Sequence, residues 1–302
     1  MTRPALTTLV LACAAASVAY ARPAAAQVAQ PTLDKIAAAN AIAIGYRETS
    51  PPFSYVDGNG RVIGFSQDIC DKVIAAVKAR TNRPSLKVRF VPVTSQNRFP
   101  LVQNGAVDLE CGVTSNLKAR HREVAFSYTF FVAATRLLTR KDSGIHDFAD
   151  LAGKAVVTNR GTTSERMLRA MNPGKRMRMR IISAKDYAQG RAILESGRAA
   201  AYMMDDVLLY GTRLLTAHPD DWVVVGTPQS LEPYALVMRN GDPQFRQLVD
   251  DTLRGLMQGG AIDAMYTKWF ERPVPPNGVN LHFPMTPRLR ALYASPSDRP
   301  FD

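Results

Sequence analysis

Five stretches of this 302-residue chain place charged or hydroxyl side chains directly after strand-like runs. They contain Arg47, then Ser95 and Arg98, then Val113, Ser115 and Arg120, then Thr162 and Thr163, and finally Asp205. Guanidinium groups bind carboxylates through paired hydrogen bonds, and the start of a helix offers free N–H groups to an anion. Ligands of open α/β sheets collect at the carboxyl ends of strands, so these stretches predict one binding crevice.

The charge balance points to the same kind of ligand. Lys and Arg number 38 and Asp and Glu number 26, which gives a formal net charge of +12 and favours anionic partners. In Arg176–Arg180 charged residues alternate with Met at every second position, which is typical of an edge strand with one solvent-exposed face. Because no aromatic interleaving or recognition-helix motif accompanies this run, we expect no nucleic-acid partner.

The sequence lacks the motifs that are typical of enzymes that break bonds. The sequence contains no G-x-S-x-G, P-loop, H-E-x-x-H or G-x-G-x-x-G motif, and its four histidines are scattered. Cys111 with His121 is a poor nucleophile pair, because Cys111 belongs to a strand-like run. We therefore expect a protein that is not an enzyme and has no cofactor and no metal site.

The elements that must position these side chains alternate between strand-like and helix-like runs, which is typical of an α/β fold with crossover helices. One set runs from the strand at 41–47 to the strand at 107–111, and a second from the strand at 155–158 to the strand at 222–225. Two extended runs, Phe130–Arg140 and Tyr234–Arg239, separate the sets. This pattern predicts two lobes joined by two crossing strands.

The first 26 residues predict export. Arg3 is followed by an apolar stretch from Leu6 to Tyr20 and by the small residues Ala24–Ala26, as in a cleaved secretory signal. The apolar stretch has fewer than about 18 residues, so it is too short to span a membrane. We therefore expect a periplasmic protein whose mature chain begins at Gln27.

Two cysteines remain in the expected mature chain, Cys70 in a helix-like run and Cys111 at the end of a strand-like run. In an oxidising compartment they could form a disulfide, whereas the alternative is that both are small buried thiols. The spacing along the sequence does not choose between these two states.

Several motifs resemble those of bacterial periplasmic solute-binding proteins for polar amino acids, solute-binding protein family 3. Within that family the chain is most similar to receptors for glutamate and aspartate that serve ABC importers. The motifs are Arg47–Ser50, Thr94–Arg98, Glu110–Gly112, Gly161–Glu165, Ile181–Asp186, Glu195–Arg198 and Met203–Asp206.

The resemblance implies a two-lobe type II periplasmic binding protein fold that closes over its ligand. Residues 1–26 would be the signal peptide, 27–135 and 237–302 the first lobe, and 136–236 the second lobe. The family also implies delivery of L-glutamate or L-aspartate to inner-membrane permease subunits, and a monomeric receptor. A periplasmic enzyme of the same fold, similar to a dehydratase, is the alternative.

The resemblance further assigns a role to each residue of the crevice. Arg120 would bind the α-carboxylate with Ser115, Thr162 and Thr163; Asp205 would bind the α-ammonium; Arg47, Ser95 and Arg98 would bind the side-chain carboxylate. The chain has Val113 where relatives have Ser, and Tyr187 where they have His. Three guanidinium groups and one carboxylate complement a ligand with two negative charges and one positive charge.

Overall fold

The computed structural model describes residues 30–174, 176–275, 278 and 280–300. The predicted signal peptide, residues 1–26, lies outside the described residues. Within the described part of the chain, no helix is both long enough and apolar enough to cross a membrane.

Strands form one long mixed sheet and one small antiparallel sheet. The strands are β1 Ala41–Tyr46, β2 Thr49–Ser50, β3 Ser54–Val56, β4 Val62–Ile63, β5 Lys87–Pro92, β6 Leu109–Ser115, β7 Ala125–Arg140, β8 Ala155–Asn159, β9 Arg180–Ala184, β10 Ala201–Asp205, β11 Trp222–Val225 and β12 Leu231–Met238. The long sheet has the order β5-β1-β6-β12-β7-β10-β8-β9, and β11 also pairs with β7. Strands β2, β3 and β4 form the small sheet.

The long strand β7 changes partners along its length. Residues 125–134 pair with β12, and residues 135–140 pair with β10 and β11. We call β5, β1, β6, β12 and residues 125–134 the first sheet half, and residues 135–140 with β10, β11, β8 and β9 the second sheet half. This arrangement is the α/β two-lobe architecture that the two extended runs predicted.

Helices cover the two sheet halves. They are α1 Thr32–Ala39, α2 Phe65–Thr81, α3 Arg98–Gln103, α4 Thr163–Gly174, α5 Tyr187–Glu195, α6 Asp206–Leu214, α7 Pro243–Gln258, α8 Ala261–Phe270 and α9 Pro287–Ala294, with short 3₁₀ helices at Lys118–Arg122, Phe148–Leu151 and Pro219–Asp221. Helices α2, α7 and α8 contribute buried apolar faces to a large core that includes the aromatic cluster of Phe53, Phe65, Phe131 and Phe270.

Two predicted elements begin or end elsewhere. Strand β6 continues to Ser115 instead of ending at Cys111, because β12 pairs with Thr114 and Ser115. The run Arg176–Arg180 is not itself a strand, since the edge strand β9 begins at Arg180 and Arg176 and Arg178 have positive φ angles. The predicted alternation nevertheless holds, because Met177 and Met179 are buried between exposed arginines.

The two cysteines form a disulfide. It joins α2 to β6, with the Cα atoms of Cys70 and Cys111 6.3 Å apart. Both residues are fully buried. A thiolate nucleophile at Cys111, already disfavoured from the sequence, is therefore excluded in this state.

Candidate functional site

The carboxyl ends of β1, β5 and β6 in the first sheet half face the carboxyl ends of β8, β9 and β10 in the second. A small cavity lies where they meet. Nine of the ten predicted site residues line it, namely Ser95, Arg98, Val113, Ser115, Arg120, Thr162, Thr163, Tyr187 and Asp205, together with Ser164 and Met204. The structure thus brings together residues that are separated by more than 100 positions in the chain.

The tenth predicted residue, Arg47, lies directly beside this cavity. It follows β1, its Nη1 donates to Ser95 Oγ at 3.1 Å, and its guanidinium lies 5.2 Å from the centre of the Tyr187 ring. Only 4% of its surface is exposed. Tyr187, at the start of α5, therefore packs its aromatic face on a buried cation, an interaction that stabilises the charge.

Arg98 and Arg120 are two further buried cations. Their guanidinium groups lie 5.3 Å and 5.6 Å from the Phe99 ring, and Arg120 Nη1 donates to the carbonyl of Ser115 at 3.0 Å. Burial lowers the pKa of both side chains, and the neighbouring positive charges, Arg47 for Arg98 and Arg98 for Arg120, act in the same direction. The site therefore places guanidinium groups so close together that each one acts on the pKa of its neighbour.

One polar atom in this group has no acceptor. Arg98 Nε is buried and lacks a hydrogen-bond partner among the residues that the structure describes. A buried donor without an acceptor costs free energy, so native proteins usually satisfy such atoms. An anionic ligand group beside Arg98 would supply the missing acceptor.

The paired threonines at the start of α4 have different roles. Thr162 Oγ1 accepts from the backbone N–H of Glu165 at 3.1 Å and donates to the carbonyl of Asn159, so this hydroxyl caps the helix. Thr163 Oγ1 instead donates to Glu232 Oε2 at 2.9 Å. The first N–H groups of a helix have no partner within it, and at α4 they belong to residues that line the cavity.

Asp205 supplies a carboxylate at the end of β10. It is buried and accepts a hydrogen bond from the hydroxyl of Tyr234. Burial and, next in size, the negative charge of Glu232 raise the pKa of Asp205 well above its ordinary value. A cation placed here would restore the ionised form, which is the behaviour expected of an ammonium-binding carboxylate.

Two buried carboxylates escaped the sequence analysis. Glu232 on β12 accepts hydrogen bonds from Ser115 Oγ and Thr163 Oγ1, and Glu110 on β6 accepts from Thr114 Oγ1. Glu110 Oε1 has no partner among the described residues, and its charge acts on Arg98. The site therefore contains three guanidinium groups and three carboxylates, whereas three guanidinium groups and one carboxylate were expected from the sequence. An acidic residue inside a strand-like run was the available signal at both positions.

Comparisons with known proteins agree with this architecture. The sequence model for bacterial extracellular solute-binding proteins, family 3, matches residues 42–272. The glutamate/aspartate import solute-binding protein of Escherichia coli K12 is 48% identical over 275 residues, which are 91% of this chain and 91% of that protein. The L-glutamate/L-aspartate-binding protein of Pseudomonas aeruginosa is 52% identical over 269 residues, 89% of each chain.

Among solved structures, a mutant of the arginine-binding protein of T. maritima superposes with a TM-score of 0.71 at 24% identity. The match covers 80% of this chain and 99% of that one, and supports the fold. The long family match and the high identity to two curated relatives lead to one conclusion. The chain belongs to the bacterial extracellular solute-binding proteins, family 3.

Proposed function

We propose that this chain is a receptor for L-glutamate and L-aspartate that delivers the amino acid to the permease subunits of an ABC importer without chemical change. The observation that carries the proposal is the convergence of three buried arginines, Arg47, Arg98 and Arg120, on one small cavity. The names of the two curated relatives support the ligand class and the import role. Those names also favour a binding protein over a dehydratase-like enzyme of the same fold.

Within the site we assign the two carboxylates of the ligand to different arginines. Arg47, Ser95 and Arg98 bind the side-chain carboxylate, and Arg120 with the start of α4 binds the α-carboxylate. Asp205 binds the α-ammonium. The assignment is supported by the hydrogen bond between Arg47 and Ser95 and by the unpartnered Nε of Arg98. A neutral side chain such as that of glutamine would leave two buried guanidinium groups undercompensated.

We also propose that the two lobes are residues 27–135 with 237–302, and residues 136–236. The change of partner along β7 between Ala134 and Thr135 supports the first boundary. Strand β12 supports the return to the first lobe along this stretch, since Tyr234, Ala235 and Val237 all pair with β6. Export to the periplasm after removal of residues 1–26, and a monomeric receptor, complete the proposal.

Calorimetry on protein freed of ligand by unfolding and refolding tests the function. L-Glutamate and L-aspartate should bind with a dissociation constant of about 1 μM, which is a binding free energy of about −8 kcal/mol. L-Glutamine should bind much more weakly. Circular dichroism shows whether the refolded protein is native. Folded protein that releases no heat with either acid would exclude this receptor function.

A further inference from the structure

Glu232 joins two elements on opposite sides of the cavity through a single oxygen atom. Its Oε2 accepts from Ser115 Oγ on β6 at 2.5 Å and from Thr163 Oγ1 on α4 at 2.9 Å. Its Oε1 accepts from Ser230 Oγ at 2.7 Å, and Ser230 is in turn hydrogen-bonded to Thr135. Only 1% of Glu232 is exposed. Both oxygen atoms of the Glu232 carboxylate are thus hydrogen-bonded inside the protein.

These contacts determine what the two hydroxyl groups offer to a ligand. A hydroxyl has one proton to donate and two lone pairs that accept. Since Ser115 and Thr163 both donate to Glu232, only their lone pairs remain for the cavity. They present acceptors, which suit an ammonium group and do not suit a carboxylate.

The surroundings of Glu232 strengthen the preference for a cation. Asp205, which also lines the cavity, is a second buried carboxylate, and the charge of Glu232 acts on it. The charge of one guanidinium group, that of Arg120, acts on both carboxylates. One positive charge leaves the second carboxylate of this buried pair uncompensated, and an α-ammonium is the group that would balance it.

We propose that Glu232 is a positioning residue that makes the site require an α-amine. It keeps the hydroxyl groups of Ser115 and Thr163 as acceptors, so that they and Asp205 bind the ammonium of the ligand. These two hydroxyl groups then do not bind the α-carboxylate, as the resemblance implied, and the backbone N–H groups at the start of α4 bind it with Arg120. The receptor thereby rejects dicarboxylates that lack the amine. The inference rests on the proposed function and names a requirement of the same site.

The test compares L-glutamate with glutarate, which has both carboxylates and no amine, by calorimetry on wild-type protein, Glu232→Gln and Glu271→Gln. The last variant is the matched control, since Glu271 lies on the surface and accepts from Thr267. We expect wild type to prefer L-glutamate, and Glu232→Gln to lose roughly 10- to 100-fold of L-glutamate affinity while binding glutarate at least as well as wild type. The control should match wild type with both ligands.

A double-mutant cycle separates positioning from a general loss of structure. If Glu232 acts through Thr163, the losses of L-glutamate affinity in Glu232→Gln and Thr163→Val will not add in the double variant. Should Glu232→Gln fail to fold, Thr163→Val alone must lower the preference for L-glutamate over glutarate by about tenfold.

The outcomes are distinguishable. Wild-type protein that binds neither acidic amino acid would refute the proposed function. Wild-type protein that binds L-glutamate, with Glu232→Gln weakening both ligands equally or neither, would overturn the role of Glu232. Additive losses in the cycle, or an unchanged preference in Thr163→Val, would overturn it as well.

Discussion

Arg98 and Glu110 are both buried beside the binding cavity, and each keeps one polar atom without a partner among the described residues. These atoms are Arg98 Nε and Glu110 Oε1. Burial lowers the pKa of Arg98, and the negative charge of Glu110 opposes that shift. Arg98 therefore has an incompletely satisfied guanidinium group, which a ligand carboxylate would complete as a further partner.

Replacement of Arg98 by alanine should weaken binding of L-glutamate by roughly 2 to 5 kcal/mol, because one member of a buried charge pair is lost. Calorimetry measures the change, and circular dichroism checks the fold. Arg83→Ala is the control, since Arg83 is exposed and does not line the cavity. Unchanged affinity in Arg98→Ala would remove Arg98 from the site.

Substitution of Asp205 by asparagine should change the pH dependence of stability in the ligand-free protein. Because the pKa of Asp205 is raised, native Asp205 holds a proton that the unfolded chain releases above about pH 4. The contribution of protonated Asp205 to the free energy of unfolding is complete below the pKa that Asp205 has in the unfolded chain. It is lost as the pH rises through the pKa of Asp205 in the folded protein. Wild type should therefore lose more stability than Asp205→Asn between pH 4 and pH 8.

Thermal unfolding across this pH range measures the effect, with the exposed residue Asp220 replaced by asparagine as the control. The Asp220→Asn protein should follow the wild-type curve. Asp205→Asn should also bind L-glutamate more weakly, since it no longer offers a negative charge to the ammonium. Parallel pH curves for wild type and Asp205→Asn would contradict the prediction.

A methyl group at Gly161 should obstruct the approach of the two sheet halves. Gly161 has a φ of +76°, and a Cβ atom there would lie 3.1 Å from the backbone of Ser95 and 3.0 Å from the side chain of Gln96. Gly153 has a φ of +74° and open space around it, which makes Gly153→Ala a matched control. Both substitutions should cost about 1–2 kcal/mol of stability, the penalty of left-handed backbone.

Affinity then distinguishes the two glycine variants. We expect Gly161→Ala to weaken L-glutamate binding by roughly tenfold, about 1.4 kcal/mol, and Gly153→Ala to bind as wild type does. Solution scattering with ligand should give a larger radius of gyration for Gly161→Ala than for wild type. Equal affinities for the two variants would show that this contact does not limit closure.

Removal of the disulfide should destabilise the protein. Cys70 and Cys111 are 41 residues apart, and a cross-link that closes a loop of this length contributes about 4 kcal/mol through the unfolded state. The Cys70→Ala/Cys111→Ala variant should therefore melt roughly 10 °C lower in a thermal scan. The wild-type protein in excess reductant is the control and should approach the melting temperature of the variant; equal melting of oxidised and reduced wild type would refute the bond.

Local patterns were sufficient to predict much of the fold. Strand β11 has the predicted bounds, because the apolar run that identifies it lies within the segment itself. The strand-end arginines and hydroxyls could likewise be recognised as one crevice, since the carboxyl ends of parallel strands meet at one edge. The sequence by itself therefore determined the apolar periodicity of these elements and the types of residue at the strand ends.

Other features depend on contacts between distant parts of the chain. Strand β6 reaches Ser115 because β12 supplies hydrogen-bond partners from 120 residues away, and Glu232 belongs to the site because Ser115 and Thr163 both reach it. No pattern within β6 or β12 contains that information. A hydrogen bond is determined by distance in space, so only the tertiary structure decided which carboxylates belong to the site and which hydroxyl protons they hold.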